Sequence, residues 1–176
     1  MRCFIAINYN AFSDYFRKSQ NLIFPKDVTF VSSFHLTLKF LGDVKKEHLK
    51  LIIEKLKKIN FSSFTLDLSR YGEFVYENKP KIIWVGLKEN EELKKLHEKI
   101  ESCLYPQFKR ETRFFPHITL ARIKNSKTDS NIKSLSITSH QIEEAKSMKI
   151  NSFELVESIL TKTGPKYLVL AEFELN

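Results

Sequence analysis

The first half of the chain alternates short runs of strand-forming residues with stretches in which apolar side chains recur at helical spacing. Gly42 and Asp43 supply a turn signal between the third strand and the second helix. The pattern predicts these elements in order: strand 2–7, helix 11–23, strands 28–31 and 34–41, and helix 46–59.

The second half repeats this alternation. Leu93, Leu96, Ile100 and Leu104 form an apolar stripe of the kind that packs a helix onto a core. Residues 125–129 are polar and predict a loop. The predicted elements are strands 64–68 and 81–87, helix 91–104, strand 114–123, a short helix 142–148, and a hairpin of strands 153–161 and 167–175 around residues 163–165.

Strands dominate both halves, and each half also carries helices on one face. This arrangement predicts an α+β fold of two similar lobes around a pseudo-twofold cleft. The length, 176 residues, suits one compact bilobal domain spanning residues 1–176.

One tetrapeptide pattern occurs twice, as His35-Leu36-Thr37-Leu38 and as His117-Ile118-Thr119-Leu120. A chain of this composition would contain a His-x-Thr-Leu string only about 0.03 times by chance. In a strand, successive side chains alternate between faces, so each copy presents an imidazole and a hydroxyl on one face. A single copy would be compatible with a structural histidine, but the matched pair favours a shared site.

Two histidines and two hydroxyls suit an in-line displacement at phosphorus. One neutral histidine can deprotonate the attacking group while a protonated one protonates the leaving oxygen. The hydroxyls can donate hydrogen bonds to the non-bridging phosphate oxygens. No nucleotide cofactor enters this scheme.

The two motifs in their setting closely resemble the two-histidine (2H) phosphoesterase superfamily, in its RNA 2′,3′-cyclic phosphodiesterase branch, historically called 2′-5′ RNA ligase. The resemblance extends along nearly the whole chain. The segments that carry it are 33–42 and 114–122, around the motifs, together with 1–7, 81–86, 157–160 and 164–167.

The resemblance implies two antiparallel-sheet lobes with outer helices around a central cleft, and hydrolysis of a terminal 2′,3′-cyclic phosphate of RNA to a 2′-phosphate. It also implies that the side chains of His35, Thr37, His117 and Thr119 form a catalytic quartet. His117 would be the base and His35 the acid, although the near mirror relation of the two copies leaves the reverse assignment open.

The resemblance further implies that Phe40 stacks on a base and that Arg122 binds phosphate. Each residue follows its histidine by five positions, so strict alternation would turn both side chains away from the cleft. Twist or a bulge would have to return them. The alternatives are a core phenylalanine and a surface arginine.

Charge and cysteine content refine this hypothesis. The net charge of +8 favours a polyanionic partner, here an RNA end. Cys3 and Cys103 have no second cysteine at metal or redox spacing and are predicted to be buried thiols in a reducing cytosol. We expect a cytoplasmic monomer without a membrane segment or a bound metal.

Three alternatives stay open. A metal hydrolase is disfavoured because His48, His97 and His140 lie at no ligand spacing. A non-catalytic RNA or nucleotide-binding module would retain the fold without turnover. An ATP-independent 2′-5′ RNA ligase acting on tRNA-half-like ends would use the same quartet in the reverse direction.

Overall fold

A computed structural model describes residues 1–23, 28–76, 79–123, 142, 146–162 and 164–176. Nine strands and three α-helices make up this part of the chain, with a 3-10 turn at Asn10–Phe12 before the first helix. The elements are β1 (Arg2–Asn8), α1 (Ser13–Gln20), β2 (Val28–Phe30), β3 (His35–Asp43), α2 (Lys46–Leu56), β4 (Phe64–Tyr76), β5 (Lys79–Leu87), α3 (Glu91–Leu104), β6 (His117–Ile123), β7 (Ser147–Ile150), β8 (Ser152–Thr161) and β9 (Gly164–Glu174).

All strand pairs are antiparallel, and the strand order is β7-β4-β5-β6-β3-β1-β8-β9, with β2 added to β6. We call β3, β1, β8 and β9 lobe A, and β2, β4, β5, β6 and β7 lobe B. The two motif strands, β3 and β6, are therefore neighbours at the centre. The fold is α+β, as predicted.

The helices cover one face of the sheet, which we call the core face. Helices α2 and α3 pack together, with α3 against β3, whereas α1 packs against β6. Most buried apolar side chains of both lobes form one cluster on this face, whereas Phe4, Ala6 and Val156 form a second, smaller cluster. The opposite face, which we call the inner face, is left for the motif side chains.

Helix α3 shows how local sequence sets an element. The Asn90 side chain accepts a hydrogen bond from the backbone N–H of Leu93, which caps the helix, and two glutamates follow in the first turn. The predicted apolar stripe is buried along its whole length. Its identification as a core-facing stripe is confirmed.

Several predicted elements need correction. The short helix predicted for 142–148 is wrong at Ser147 and Met148, which begin strand β7 beside β4; residues 143–145 and the predicted loop 125–129 lie outside the described residues. Helix α1 is shorter than predicted. Cys3 is buried as expected, but Cys103 is only partly buried.

Among the described helices, none combines the length and the apolar character that crossing a bilayer requires.

Candidate active site

The two motif strands meet through a single described residue pair, Leu36 opposite Ile118. Both side chains are fully buried on the core face. Because the strands are antiparallel, the histidine of each motif lies next to the threonine of the other, on the inner face. The structure thus brings His35, Thr37, His117 and Thr119, hereafter the quartet, to one place at the junction of the lobes.

Each motif strand contains a β-bulge at the same position. Leu38 is the extra residue of β3 relative to β1, and Leu120 is the extra residue of β6 relative to β5. Each lies three residues after its histidine. A bulge reverses the alternation of the residues that follow it, so Phe40 and Arg122 return to the inner face.

The carbonyls at both bulges are hydrogen-bonded by helix side chains. The His97 ring of α3 donates through Nδ1 to the carbonyl oxygen of Leu38, at 2.9 Å. The Gln20 side chain of α1 donates to the carbonyl oxygen of Leu120, also at 2.9 Å. His97 and Gln20 are both buried, so each bulge is held by the helix that packs against its strand.

The bulges set the face on which Phe40 and Arg122 lie. Phe40 is 60% exposed and therefore not a core residue. The ring of Phe4 lies 6.2 Å from that of Phe40 and 4.9 Å from that of His35. Arg122 is exposed, and its positive charge lowers the pKa values of both motif histidines.

The His117 ring is oriented by its own backbone. Its Nδ1–H donates to the carbonyl oxygen of Phe115 at 2.8 Å, because a carbonyl can only accept. The neutral ring therefore carries its lone pair on Nε2. Burial lowers the pKa of His117, the hydrogen bond to Phe115 opposes this shift, and Arg122 lowers the pKa further.

His35 has an aromatic environment. The rings of Phe4 and Tyr167 lie 4.9 and 5.0 Å from its own. Burial, followed by the positive charges of Arg122 and His117, lowers the pKa of His35 to about 4. Without a ligand His35 is consequently neutral at pH 7, and a bound phosphate anion would favour its protonation.

The low pKa of His35 predicts a pH-dependent stability difference. Between pH 6.5 and about 4 the unfolded chain protonates this histidine and the folded protein does not, so stability falls as the pH falls through this range. At pH 5 this destabilises the wild type by about 2 kcal/mol, a contribution that His35→Gln removes. Urea unfolding at pH 7.5 and pH 5 measures the difference.

His48→Gln, at an exposed histidine of α2, is the matched control. If the stability of His35→Gln changes with pH as much as that of the wild type, the low pKa of His35 is contradicted.

The surroundings of the two histidines differ despite the duplication. Beside His35, a small cavity of about 100 Å³ is lined by the aromatic rings already described and also by the polar side chains of Asn8, Asn10, Ser33 and Glu154. Beside His117, the lining is aromatic and contains Phe74, Trp84 and Phe115. The two sides of the quartet therefore present different chemistry to a ligand.

Sequence reasoning identified the quartet but missed its aromatic neighbours. Phe4 alternates with Ala6 and Asn8 along β1, a signal that indicates a shared face but not its proximity to His35. Tyr167 reaches the site from β9, which only the sheet order reveals.

Comparison with known proteins agrees with this architecture. The family model described as LigT-like phosphoesterase matches the chain twice, at residues 15–84 and 85–167, with one motif in each match. An RNA 2′,3′-cyclic phosphodiesterase of Thermotoga maritima is 32% identical over 185 aligned residues, covering 98% of this chain and 94% of that protein. Another from Archaeoglobus fulgidus is 33% identical over 144 residues, covering 81% and 80%.

Solved structures share the fold. TT0787 of Thermus thermophilus superposes with a TM-score of 0.83 at 25% identity, covering 99% of this chain and 98% of that one. E. coli LigT in complex with 3′-AMP gives a TM-score of 0.80 at 24% identity, covering 99% and 97%. The duplicated match, the paired motif strands and these relatives lead to one conclusion: this chain belongs to the LigT-like phosphoesterase family.

Proposed function

We propose that this protein is an RNA 2′,3′-cyclic phosphodiesterase that hydrolyses a terminal cyclic phosphate to a 2′-phosphate by metal-independent acid–base catalysis. The observation that carries the proposal is the pairing of Leu36 with Ile118, because it places two His-x-Thr units on one face around a common centre. Relatives that align with most of the chain bear this activity as their name.

Ring opening requires an attacking water and a leaving ribose oxygen on opposite sides of phosphorus. In the proposed reaction, Nε2 of His117 accepts the water proton, and protonated His35 donates a proton to the departing 3′-oxygen. The hydrogen bond from His117 Nδ1 to the Phe115 carbonyl leaves Nε2 as the ring atom available for this role.

The remaining predicted residues bind the phosphate and the terminal nucleoside. The hydroxyls of Thr37 and Thr119 and the guanidinium of Arg122 would bind the non-bridging oxygens and stabilise the charge that develops in the transition state. Phe40, exposed on the inner face of lobe A, would stack on the terminal base.

The pKa of His35 in the free protein bears on which histidine is the acid and which is the base. The lower pKa of His35, taken alone, favours His35 as the unprotonated base. The proposed assignment of His117 as the base instead follows the resemblance to the two-histidine phosphoesterases. Because the phosphate neutralises Arg122, which lowers the pKa of His35, substrate binding removes part of the effect that keeps His35 unprotonated.

The activity is tested by incubating the protein with EDTA and an RNA oligonucleotide that ends in a 2′,3′-cyclic phosphate. The wild type is expected to add one water and to yield the 2′-phosphate, identified by mass and by comparison with 2′- and 3′-phosphate standards. The His35→Ala/His117→Ala double variant is expected to lose this activity because neither proton transfer remains.

His48→Ala serves as the control because His48 is an exposed histidine on α2, outside the quartet. RNA binding by the wild type without any product would overturn the proposal in favour of a binding module. Loss of activity in EDTA, restored by a divalent metal, would overturn the metal-independent mechanism.

A further inference from the structure

One buried histidine outside the quartet contacts both halves of the candidate site. His97 lies on α3 and is only 7% exposed. Its Nδ1–H donates to the carbonyl oxygen of Leu38, in lobe A, at 2.9 Å. Its ring face stacks on Phe114, which precedes motif strand β6 of lobe B, with 3.9 Å between ring centres and an interplanar angle of 6°. A single side chain therefore joins the segments that carry the two motifs.

The hydrogen bond to Leu38 bears on the position of Phe40. Leu38 is the bulged residue of β3, and the bulge places Phe40 on the inner face. One turn further along α3, the buried Glu101 pairs with Lys39, the next residue of β3. Two successive turns of the helix thus hold two successive residues of the bulge. Without the His97 donor, the buried Leu38 carbonyl would lose its partner, and the bulge would lose a stabilising contact.

The stack on Phe114 bears on the orientation of His117. Residues 112–116 belong to no helix or strand, and Pro116 has no N–H to donate, so side-chain contacts hold this segment. The carbonyl oxygen of Phe115, the residue after Phe114, accepts the hydrogen bond from Nδ1 of His117. A movement of Phe114 therefore displaces the acceptor that fixes the tautomer of His117.

The two sides of this segment are packed differently. On the inner side, the rings of Phe74 and Trp84 lie 5.4 and 5.2 Å from that of Phe115. On the other side, a cavity of about 480 Å³ borders Phe114 and His97. Because the cavity offers space beside Phe114, the stack on His97 limits the movement of this ring into it.

The corresponding residue of the other lobe explains why a histidine suits this position. Gln20 of α1 donates to the carbonyl oxygen of Leu120 at the equivalent bulge. An amide at position 97 would supply the donor but not the stack, and a phenylalanine would supply the stack but not the donor. Histidine provides both contacts.

We propose that His97 is a positioning residue that aligns the two halves of the site through one ring: its Nδ1–H holds Phe40 where it can stack on a base, and its face holds His117 in its catalytic orientation. This inference rests on the proposed function. Loss of the hydrogen bond should weaken substrate binding because Phe40 is displaced, whereas loss of the stack should slow turnover because the base is displaced.

Two substitutions separate the two contacts. His97→Phe keeps the ring against Phe114 but lacks the donor, whereas His97→Asn keeps an N–H donor at the position of Nδ1 but lacks the ring. With a cyclic-phosphate RNA, His97→Phe is expected to raise KM about tenfold with little change in kcat. His97→Asn is expected to lower kcat about 10- to 100-fold with little change in KM. His48→Phe and His48→Asn, at an exposed histidine of α2, are the matched controls.

Phe114→Leu removes the stack from its other partner, so this test does not depend on the folding of a His97 variant. It is expected to reproduce the lower kcat of His97→Asn and not the higher KM of His97→Phe. A wild-type kcat in Phe114→Leu would overturn the proposal. Equal changes of KM and kcat in His97→Phe and His97→Asn would also overturn it, because the two contacts would then not act separately.

¹⁵N NMR of the His117 side chain separates this inference from the proposed function, because it requires no turnover. Above the pKa of His117, the wild type is expected to show the Nδ1–H tautomer that donates to the Phe115 carbonyl. His97→Phe should keep this tautomer, whereas His97→Asn and Phe114→Leu should shift His117 towards a mixture of Nδ1–H and Nε2–H. The same tautomer in all four proteins would contradict the positioning role even if ring opening is found. A shift without any ring opening would support the positioning of His117 and contradict the proposed function alone.

Discussion

Replacing the leaving 3′-oxygen of the cyclic phosphate by sulfur is expected to restore ring opening to His35→Ala and not to His117→Ala. With the normal substrate, each substitution should lower kcat about 10²- to 10⁴-fold, the usual contribution of one positioned acid or base. A thiol is much more acidic than a ribose hydroxyl, so its anion leaves without a proton donor. Loss of the acid then lowers kcat little, whereas loss of the base still lowers it strongly.

The measurement is kcat for both substrates with the two single variants and His48→Ala as the control. Rescue of His117→Ala instead of His35→Ala would reverse the roles, in agreement with the lower pKa of His35 in the free protein. If the sulfur substrate rescues neither variant, the two histidines do not divide simply into one acid and one base.

Lys39→Met is expected to lower the free energy of unfolding by about 3–5 kcal/mol. The Lys39 side chain, 1% exposed, donates to Glu101 at 2.7 Å and to the Lys109 carbonyl at 3.0 Å. Removing it leaves the buried Glu101 carboxylate without its counter-charge. The double variant Lys39→Met/Glu101→Leu should recover most of the loss, because an apolar pair can replace a buried ion pair.

Urea unfolding of Lys39→Met, Glu101→Leu and the double variant measures the coupling energy between the two side chains. Lys94→Met is the matched control, since Lys94 forms ion pairs with Glu89 and Glu91 at an exposed position and its loss should change stability little. If the double variant is no more stable than Lys39→Met, the unpaired Glu101 carboxylate is not the cause of the lost stability.

Hydrogen bonds also connect the buried ion pair of Lys39 and Glu101 to the candidate active site. The backbone N–H of Glu111 donates to Glu101, and the Glu111 carboxylate accepts from the backbone N–H of Phe40. The bulge at Leu38 is what turns Lys39 towards α3, so one local irregularity both buries a charge and exposes Phe40.

The quartet was predictable because its information is local. A histidine and a threonine two positions apart share a face in any strand, and two copies of the pattern indicate a duplicated site. The stripe on α3 and most of the strands were predictable for the same reason, since helix and strand periods are properties of short segments. The helix predicted for 142–148 failed because Ser147 and Met148 pair with β4, a contact between distant segments.

Phe40 and Arg122 show where local reasoning ends. Strict alternation turned both side chains away from the histidines, and only the resemblance to known phosphoesterases kept them as candidates. The bulges that return them are held by His97 and Gln20, which reach the strands from helices distant in sequence.

The sequence by itself determined the α+β class, the faces of the strands and the four motif side chains, because the spacing of residues within a segment sets which of them share a face. Only the tertiary structure decided the register of Leu36 against Ile118, the two bulges and the packing of Phe115 on Trp84. Each of these depends on hydrogen bonds or packing between residues far apart in the chain, and no pattern within one segment contains that information.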